Sequence, residues 1–401
     1  MKIKQCFLFH SLLIVPLFII LIACSHEKEE DDPCANAVGN GNEIVPGPAG
    51  PEGNDYDQVF RSLEVDPSNP NVLYMGTESN GIVKTIDGGV IWYRLRQGIR
   101  HVENRYPEMW DIDVSPFNTR FVIAAAAASP GPVDYPDSPA GVYISTDAGG
   151  TWKRSNCGLT NSYALSVRFS PFDSAIIVLG IGAGKATFTE MLGQPFDGAL
   201  MYSNDHGNSW SIAAAPAGAD KNVFWVLRAY GSAAGNFITF GLNLDEPSIN
   251  LGFLRSEDGG ESWTPFAPSL RTKSITAFDV STDGQIIYAI ERDAFRILKS
   301  SNSGLSWDTL AVFINGLVKI SPSDPDVVIF SDYYNVYRSA NGLQSYDLVL
   351  TAIDRVDDIE IAPSKTSVVY LATRGYHIYK STDSGLTWSY LINLRNAGIL
   401  N

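Results

Sequence analysis

The sequence predicts an all-β protein, a single seven-bladed β-propeller built from four-stranded antiparallel blades. An eight-residue segment of the form Ser-x-Asp-x-Gly-x-Thr-Trp, with Ser allowed for Thr, occurs four times, and three degraded copies complete a set of seven. The last, aromatic residue of each copy lies at positions 92, 152, 210, 263, 307, 346 and 388. A repeat of that length indicates a propeller or a solenoid. Short apolar runs that end at turn residues surround each copy and favour β-strands, and no stretch shows a convincing helical period.

The repeated segment, which we call the box, has the composition of a tight β-hairpin. An Asp or Asn side chain can bond the backbone two residues on, and Gly provides the positive φ of the turn. The acidic ligands that a calcium loop needs at further regular offsets are missing, so we expect no metal there. We therefore predict a structural role for the third residue of each box: Asp87, Asp147, Asp205, Asp258, Asn302, Asn341 and Asp383.

Each repeat also contains three strand-like runs that precede its box. In the first repeat a run at Arg61–Pro67 ends at a proline turn, a second run covers Val72–Thr77, and a third, Gly81–Lys84, leads into the box. The strand after the box aromatic is the fourth. Seven such units give a propeller with four short strands in each blade.

The N-terminal residues 1–23 are predicted to be an export signal, because two lysines precede a long apolar run. The run ends in Leu21-Ile22-Ala23-Cys24, which resembles the lipobox of bacterial lipoproteins and implies that Cys24 is lipidated. A plain cleaved signal or an uncleaved membrane anchor remains the alternative. Residues 24–56 form an acidic and Gly/Pro-rich tether, and its run Ser25–Asp32 resembles the tether of some surface lipoproteins. We expect a lipid-anchored protein of the cell envelope, at the outer membrane.

The charge of the mature chain restricts its partners. Without Lys2 and Lys4 there remain 27 basic against 44 acidic residues, a net charge of −17. Such a chain is repelled by nucleic acid and by anionic bilayers. We expect a monomer that contacts the membrane only through its lipid anchor and that uses no cofactor. Cys34 and Cys157 could pair in an oxidising compartment.

The boxes resemble the Asp-box (BNR) repeats of sialidases, sortilin-type receptors, xyloglucan-active glycoside hydrolases and the photosystem II assembly factor. The resemblance covers residues 57–395 and implies the fold, whereas the functions of these families differ widely. The xyloglucan-active enzymes use two facing propellers, and this sequence has material for one. Sialidases have six blades and a Phe-Arg-Ile-Pro motif, which Phe295-Arg296-Ile297-Leu298 matches only in part. In size and blade number the assembly factor is the nearest shape. The propeller domain is assigned to residues 57–401.

A binding site is expected on the face opposite the boxes, where the second-to-third and fourth-to-first connections lie. Three long second-to-third connections are expected to form a raised rim: Ala128–Ala140, Ala183–Asp197 and Leu242–Leu251. The connection Arg96–Glu108, with Arg100, Arg105 and Tyr106, joins them.

Candidate binding residues lie at the heads of the inner strands and in the short loops of this face. Exposed aromatic rings beside charged groups suit sugar rings or peptide segments. Packing of Trp110 and Trp225 between blades is the open alternative. The candidates are Arg61, Trp110, Asp111, Trp225, Glu291, Arg292, Asp332, Tyr333, Tyr334, Asp357, Asp358 and Arg374.

A charged residue occupies the fourth position of every predicted inner strand. Because buried charges require partners, we expect these side chains to form a paired ring around a wet central channel. The ring consists of Glu64, Asp113, Arg168, Arg228, Asp279, Lys319 and Glu360.

We predict that the propeller is a binding module for a glycan or an envelope or extracellular protein. A glycoside hydrolase, sialidase-like or xyloglucanase-like, and an assembly or scaffold factor are the alternatives. A hydrolase needs two carboxylates at a suitable separation. The acidic candidates offer many pairs, but no catalytic residue can be assigned among them. The three histidines of the propeller do not suggest a metal site.

Overall fold

The computed structural model describes residues 60–101, 106–127, 139–183, 197–231, 235–243, 246–313 and 316–400. These residues form seven four-stranded antiparallel sheets, and each sheet contains four strands that are consecutive in the chain. The first strands of the sheets pack against one another around a ring. The protein is therefore the seven-bladed β-propeller that the sequence predicts.

The strands of the first four blades are β1 (Phe60–Val65), β2 (Leu73–Thr77), β3 (Ile82–Thr85) and β4 (Trp92–Leu95); β5 (Glu108–Val114), β6 (Val122–Ala127), β7 (Gly141–Ser145) and β8 (Lys153–Arg154); β9 (Ala164–Phe169), β10 (Ile177–Ile181), β11 (Ala199–Ser203) and β12 (Ser211–Ile212); and β13 (Leu227–Tyr230), β14 (Asn236–Gly241), β15 (Gly252–Ser256) and β16 (Thr264–Pro265).

The strands of the last three blades are β17 (Ile275–Val280), β18 (Ile287–Glu291), β19 (Arg296–Ser300) and β20 (Asp308–Phe313); β21 (Val318–Ser321), β22 (Asp324–Asp332), β23 (Asn335–Ser339) and β24 (Asp347–Thr351); and β25 (Val356–Ile361), β26 (Val369–Thr373), β27 (His377–Ser381) and β28 (Ser389–Asn393). The helical residues of the described chain form three short 3₁₀ turns, at Ala219–Lys221, Pro247–Ile249 and Pro268–Leu270. In the part of the chain that the structure covers, no helix has the length and apolar character to span a membrane.

The antiparallel order places all seven boxes on one face of the ring. The first strand of each blade ends where the second begins, and the third strand ends at the box on that same side. We call this side the box face. The second-to-third and fourth-to-first connections lie on the opposite side, the loop face, as the sequence predicts.

The second box shows how the hairpin is held. Ser145 Oγ donates to Asp147 at 2.7 Å, and Asp147 accepts from both the backbone nitrogen and the hydroxyl of Thr151 at 2.8 Å. Ala148 and Gly149 both have positive φ, 63° and 87°. The other six boxes also have two successive residues with positive φ, so the predicted turn is confirmed in all seven boxes.

The box also joins each blade to the preceding one. A Cβ added to Gly149 would lie 2.4 Å from Leu95 of the first blade, and one added to Gly207 would lie 2.6 Å from Ile144 of the second. The backbone nitrogen of Trp152 donates to the carbonyl of Gln97 at 2.8 Å. The box is therefore a contact between blades as well as a turn within one.

A polar contact crosses every seam between neighbouring inner strands. Two seams use a serine hydroxyl, and the remaining five use a carboxylate, either with a backbone N–H or in an ion pair. In chain order these contacts are Ser62–Met109 O, Asp111–Val167 N, Ser166–Phe224 O, Arg228–Asp279, Asp279–Ile320 N, Lys319–Glu360 and Asp358–Leu63 N.

The last of these contacts closes the ring between the seventh and first blades. Asp358 Oδ2 accepts from the backbone nitrogen of Leu63 at 3.0 Å. The segment after β28 adds to the closure, because Leu394 and Leu400 are buried in the hydrophobic cluster that the first and seventh blades share. Arg94 of β4 donates to the carbonyl of Ile399 at 2.5 Å.

The predicted signal, the lipidated Cys24 and the tether lie outside the described residues. Cys34 also lies outside them. Cys157 is buried and disulfide-bonded. A disulfide at this position fits an oxidising compartment.

A substitution in the fourth box tests the role of its carboxylate. Asp258→Ala removes the bonds that Asp258 accepts from Ser256 Oγ at 2.8 Å and from the backbone nitrogen of Ser262 at 2.9 Å. We expect a loss of about 1–2 kcal/mol in the free energy of unfolding, measured by denaturant titration.

The chain supplies the control for this substitution. Asn302 accepts the equivalent bonds in the fifth box and donates to Ser306 Oγ at 2.8 Å. Asp258→Asn should therefore leave stability nearly unchanged. Equal losses in the Ala and Asn variants would show that the charge, and not the hydrogen-bond pattern, holds the box.

Candidate functional site

A β-bulge lies near the start of the inner strand in five blades. The pairing of β1 with β2 passes from Phe60 to Ser62 and skips Arg61, and the pairing of β5 with β6 skips Trp110. The pairing of β25 with β26 skips Asp357 in the same way. Bulges redirect the side chain of the extra residue. Three predicted site residues therefore occupy equivalent bulge positions at the loop-face end of the channel, which we call the mouth.

Arg61 is the centre of a cluster between the first two blades. Its guanidinium lies 2.6 Å from a Glu108 carboxylate oxygen, 3.2 Å from Glu78 and 4.6 Å from the centroid of the Trp110 ring. Trp110 Nε1 donates to Glu108 at 2.9 Å. Burial raises the pKa of Glu108 to about 7, against the lowering effect of Arg61. Glu108 is therefore partly protonated at neutral pH.

Trp110 and Trp225 both pack against the hydrophobic cluster formed by the second to fifth blades, and both remain partly exposed. Each indole ring is therefore partly packed against the protein, as the alternative interpretation expects. The rest of each ring remains accessible to solvent.

The carboxylates of the fifth and seventh blades are held by basic side chains. Buried Glu291 pairs with Arg296 at 2.7 Å and with Lys273 at 3.1 Å. Asp357 pairs with Arg355 and with Arg374, each at 3.0 Å. Lys273 and Arg355 were not among the predicted candidates, because neither lies at a position shared by the repeats.

Aromatic side chains project from the hairpin tips of the fifth and sixth blades. Phe295 is 51% exposed, and Tyr333 and Tyr334 are 41% and 51% exposed. Phe295 and Tyr333 have positive φ, 50° and 36°, which is strained for an aromatic residue. The Arg355 guanidinium lies 5.1 Å from the centroid of the Tyr333 ring. Backbone strain of this kind often accompanies binding sites.

Two further candidates contribute to local structure in these loops. Asp332 accepts from the backbone nitrogen of Asn335 at 3.2 Å and from the hydroxyl of Tyr337 at 3.0 Å, which closes the sixth-blade hairpin. Arg292 is exposed and lies 3.4 Å from Asp293.

Asp111 and Asp358 are part of the channel wall. Asp111 Oδ2 accepts from the backbone nitrogen of Val167 at 2.9 Å and pairs with Arg168 at 2.6 Å. Asp358 accepts from the backbone nitrogen of Leu63 and lies 3.9 Å from Lys319. Both carboxylates therefore hold neighbouring blades together.

All seven residues of the predicted ring line one cavity of about 230 Å³, towards the box-face end of the channel. The pairing is uneven around it. Arg228 pairs with Asp279 at 2.8 Å, and Lys319 pairs with Glu360. Glu360, Glu64 and Asp113 are consecutive in the ring, so three acids adjoin one another.

Glu64 lies in the middle of these acids. Among the described residues none forms a hydrogen bond or an ion pair with its side chain. Burial, followed by repulsion from Asp113 and Glu360, raises the pKa of Glu64 well above its usual value, and Arg168 and Lys319 oppose this only in part. Burial likewise raises the pKa of Asp113 to about 7. The folded channel therefore favours the protonated form of both carboxyl groups.

The predicted rim is described only in part. Most of Ala128–Ala140 and Ala183–Asp197 lies outside the described residues, as does Arg105. The described part of the Leu242–Leu251 connection contains a 3₁₀ turn, Pro247–Ile249. Tyr106 is buried beneath Arg96, whose guanidinium lies 4.9 Å from the ring centroid, while Arg100 is exposed. In the described ranges no three His, Cys, Asp or Glu side chains are placed to hold a metal ion.

Comparisons with known proteins agree with this architecture. No protein-family model matches the chain. A xyloglucanase of Hypocrea jecorina is 26% identical over 222 residues, 51% of this chain and 25% of that protein. The xyloglucanase Xgh74A of Acetivibrio thermocellus is 26% identical over 162 residues, 38% of this chain and 18% of that protein. The chain thus spans about a quarter or less of the length of these curated relatives.

Among solved structures, YCF48 from Cyanidioschyzon merolae matches with a TM-score of 0.55 at 15% identity, covering 82% of this chain and 95% of that one. YCF48 bound to D1 peptide matches with a TM-score of 0.54 at 12% identity, covering 78% and 89%. The chain is a seven-bladed β-propeller with one box in each blade. An ancestral GH74 enzyme matches with a TM-score of 0.57 at 16% identity, but this chain covers only 46% of it. At such identities these likenesses show the fold alone.

The acidic trio in the channel makes stability depend on pH. Because the folded state raises the pKa of Glu64 and Asp113, it binds more protons than the unfolded state above the ordinary carboxyl range. Their contribution to stability is therefore present at low pH and is lost as the pH rises through the raised pKa values. We expect Glu64→Gln to melt a few degrees above the wild type at pH 8 and at nearly the same temperature at pH 4, below the ordinary carboxyl pKa.

Glu257→Gln, at an exposed position of the fourth box, is the control and should change neither melting temperature. Thermal unfolding followed by circular dichroism at the two pH values measures the difference. A Glu64→Gln variant that is less stable than the wild type at pH 8 would contradict the raised pKa.

Proposed function

We propose that this protein is a lipid-anchored cell-envelope protein, attached through Cys24, whose propeller binds a glycan or a protein segment at the mouth of the loop face. One observation carries the binding role. The mouth combines exposed aromatic rings with carboxylates that are already paired with arginine or lysine. Stacking surfaces are thus available, whereas free catalytic carboxylates are scarce.

A hydrolase requires one carboxylate that is free to attack or to activate water. Among the described residues of the mouth, Glu291 and Asp357 each contact two basic side chains, and Asp111 contacts Arg168. Such pairs favour the ionised carboxylate and occupy its oxygens. The arrangement is better suited to orienting a ligand than to cleaving one.

The aromatic tips suggest where the ligand lies. Tyr334 and Phe295 are half-exposed, and Tyr333 is supported by Arg355. Rings held in this way stack on sugar faces or on peptide side chains with little loss of conformational entropy. YCF48, a propeller covered over most of its length by this one, has been solved with a D1 peptide bound. That structure supports a peptide as one class of ligand.

The test is binding and turnover of the mature chain on one panel of glycans, including sialosides and xyloglucan, and of peptides. Tyr334→Ala should weaken binding about tenfold or more, as expected for an exposed aromatic anchor. Tyr390→Ala removes a tyrosine of similar exposure, 47%, from the fourth strand of the seventh blade and is the matched control. Equal effects of the two substitutions would argue against the mouth.

A glycoside hydrolase is the second candidate, and Glu108 favours it. A general acid must carry a proton at neutral pH, and burial raises the pKa of Glu108 to about 7. Glu78 contacts the same arginine, Arg61, and supplies a second carboxylate nearby. The curated relatives that match part of this chain are xyloglucanases.

Release of reducing sugar from the panel decides between the two candidates. If the protein is a hydrolase, Glu108→Gln should lower kcat at least 100-fold with little change in KM, because it removes the proton donor and keeps the size of the side chain. Turnover that survives this substitution would exclude Glu108 as the acid. Binding without any turnover supports the binding module.

A further inference from the structure

The box of the first blade differs from the other six at its solvent-facing positions. Its second, sixth and seventh residues are Ile86, Val90 and Ile91, which are 54%, 69% and 53% exposed. Tyr93 follows on β4, two residues after Ile91, and is 48% exposed. We call these four residues the apolar tip.

The same positions are mostly polar in the rest of the chain. The seventh residue is Ser or Thr in all six other boxes, and its hydroxyl bonds the Asp or Asn of its own box. The second residues of those boxes are Thr146, Asn204, Glu257, Ser301, Ala340 and Thr382. The first box therefore replaces a hydrogen-bonding hydroxyl with an exposed isoleucine.

The backbone of the first box is nevertheless intact. Asp87 accepts from the backbone nitrogens of Val90 and Ile91 at 3.0 Å, and Gly88 and Gly89 have positive φ, 77° and 101°. The aliphatic side chains are therefore exposed to solvent on a hairpin in which these backbone hydrogen bonds are formed.

Folding of the box does not require Ile86 or Ile91, since the six other boxes fold without a large apolar residue at the second or seventh position. The sixth position is less distinctive, because Leu305 and Leu386 occupy it in the fifth and seventh boxes and are 87% and 53% exposed. A surface that contacts the tip explains Ile86 and Ile91.

Size and tether length point to a lipid bilayer as that surface. A stable contact with a second copy buries about 800 Å² on each partner, more than four side chains of one hairpin provide. A bilayer needs no complementary shape and accepts a small apolar tip with an aromatic residue beside it. Cys34 of the tether is the candidate partner of the disulfide-bonded Cys157, whose carbonyl accepts from the backbone nitrogen of Trp210 in the third box. Ten residues separate Cys24 from Cys34, an extended reach of roughly 35 Å. An anchor tied at this distance from the third box lets the propeller lay its box face on the membrane.

We propose that the lipid anchor is not the only membrane contact: the apolar tip inserts into the bilayer to which the protein is anchored, so that the loop face is directed away from the membrane. The proposal rests on the anchoring proposed above and is independent of the ligand bound at the mouth. Because the chain is strongly acidic, the contact is hydrophobic and not electrostatic. It should be stronger on zwitterionic than on anionic lipid and should persist at high salt.

The test compares two labelled positions of the lipidated chain in phosphatidylcholine vesicles. One fluorophore is attached at Val90→Cys and the other at Asn208→Cys, the sixth residue of the third box. A quencher confined to the acyl region should quench the first label several-fold more than the second. The chain without an added cysteine, treated in the same way, gives the background from native thiols.

A double substitution, Ile86→Thr with Ile91→Thr, gives the first box the side chains of the second and should reduce quenching at position 90 to the level at 208. Equal quenching at the two positions in the parent chain would overturn the proposal. Protection of the label without lipid, increasing with protein concentration, would overturn it in favour of a second copy. Vesicle flotation reports the anchor separately, so a failure of anchoring is distinguishable from a failure of the tip.

Discussion

The fold depends on how seven open strand edges are satisfied around one channel. Each inner strand pairs with β-structure on one side only, and its other edge faces the neighbouring blade, where unpaired backbone groups are costly. Side chains of the adjacent blade bond these groups: Asp111 and Asp113 reach Val167 and Phe169, and Asp358 reaches Leu63. The last contact closes the ring, since it joins the seventh blade to the first although the two blades exchange no strand.

This use of carboxylates explains the unusual charge of the channel. Backbone N–H groups can be bonded by an acid without a basic partner, so the wall accumulates more acids than bases. Among the residues that the structure covers, Glu64 has no such N–H partner, and burial with repulsion from Asp113 and Glu360 raises its pKa well above the usual value. Acidic residues at the channel are therefore weak indicators of catalysis in this protein. Their positions follow from closure of the ring.

The repeats made the fold and the ring of seven charges predictable, because equivalent positions in copies of one unit have equivalent places in space. Arg228 of the fourth blade is predicted to belong to the ring, and it lines the cavity with the other six charges. The mouth was predictable only in part. Glu108, the first residue of β5, contacts Arg61, and Arg355, directly before β25, contacts Asp357. No residue type recurs at these positions among the repeats, so the pattern does not identify them. The bulges that redirect Arg61 and Trp110 arise from strand register, which the sequence pattern does not specify.

Differences among the seven boxes carry information that a single box does not. Within one chain the copies share solvent, temperature and fold, so a hydroxyl that recurs at six positions shows what the hairpin itself requires. Asn302 and Asn341 replace Asp and keep the same bonds, which makes them neutral variations of the turn. Ile91 loses the side-chain bond while the turn remains, and under our proposal its side chain serves the membrane contact instead. Neutral and functional departures from a repeat can thus be separated by whether the local hydrogen bonds are replaced or abandoned.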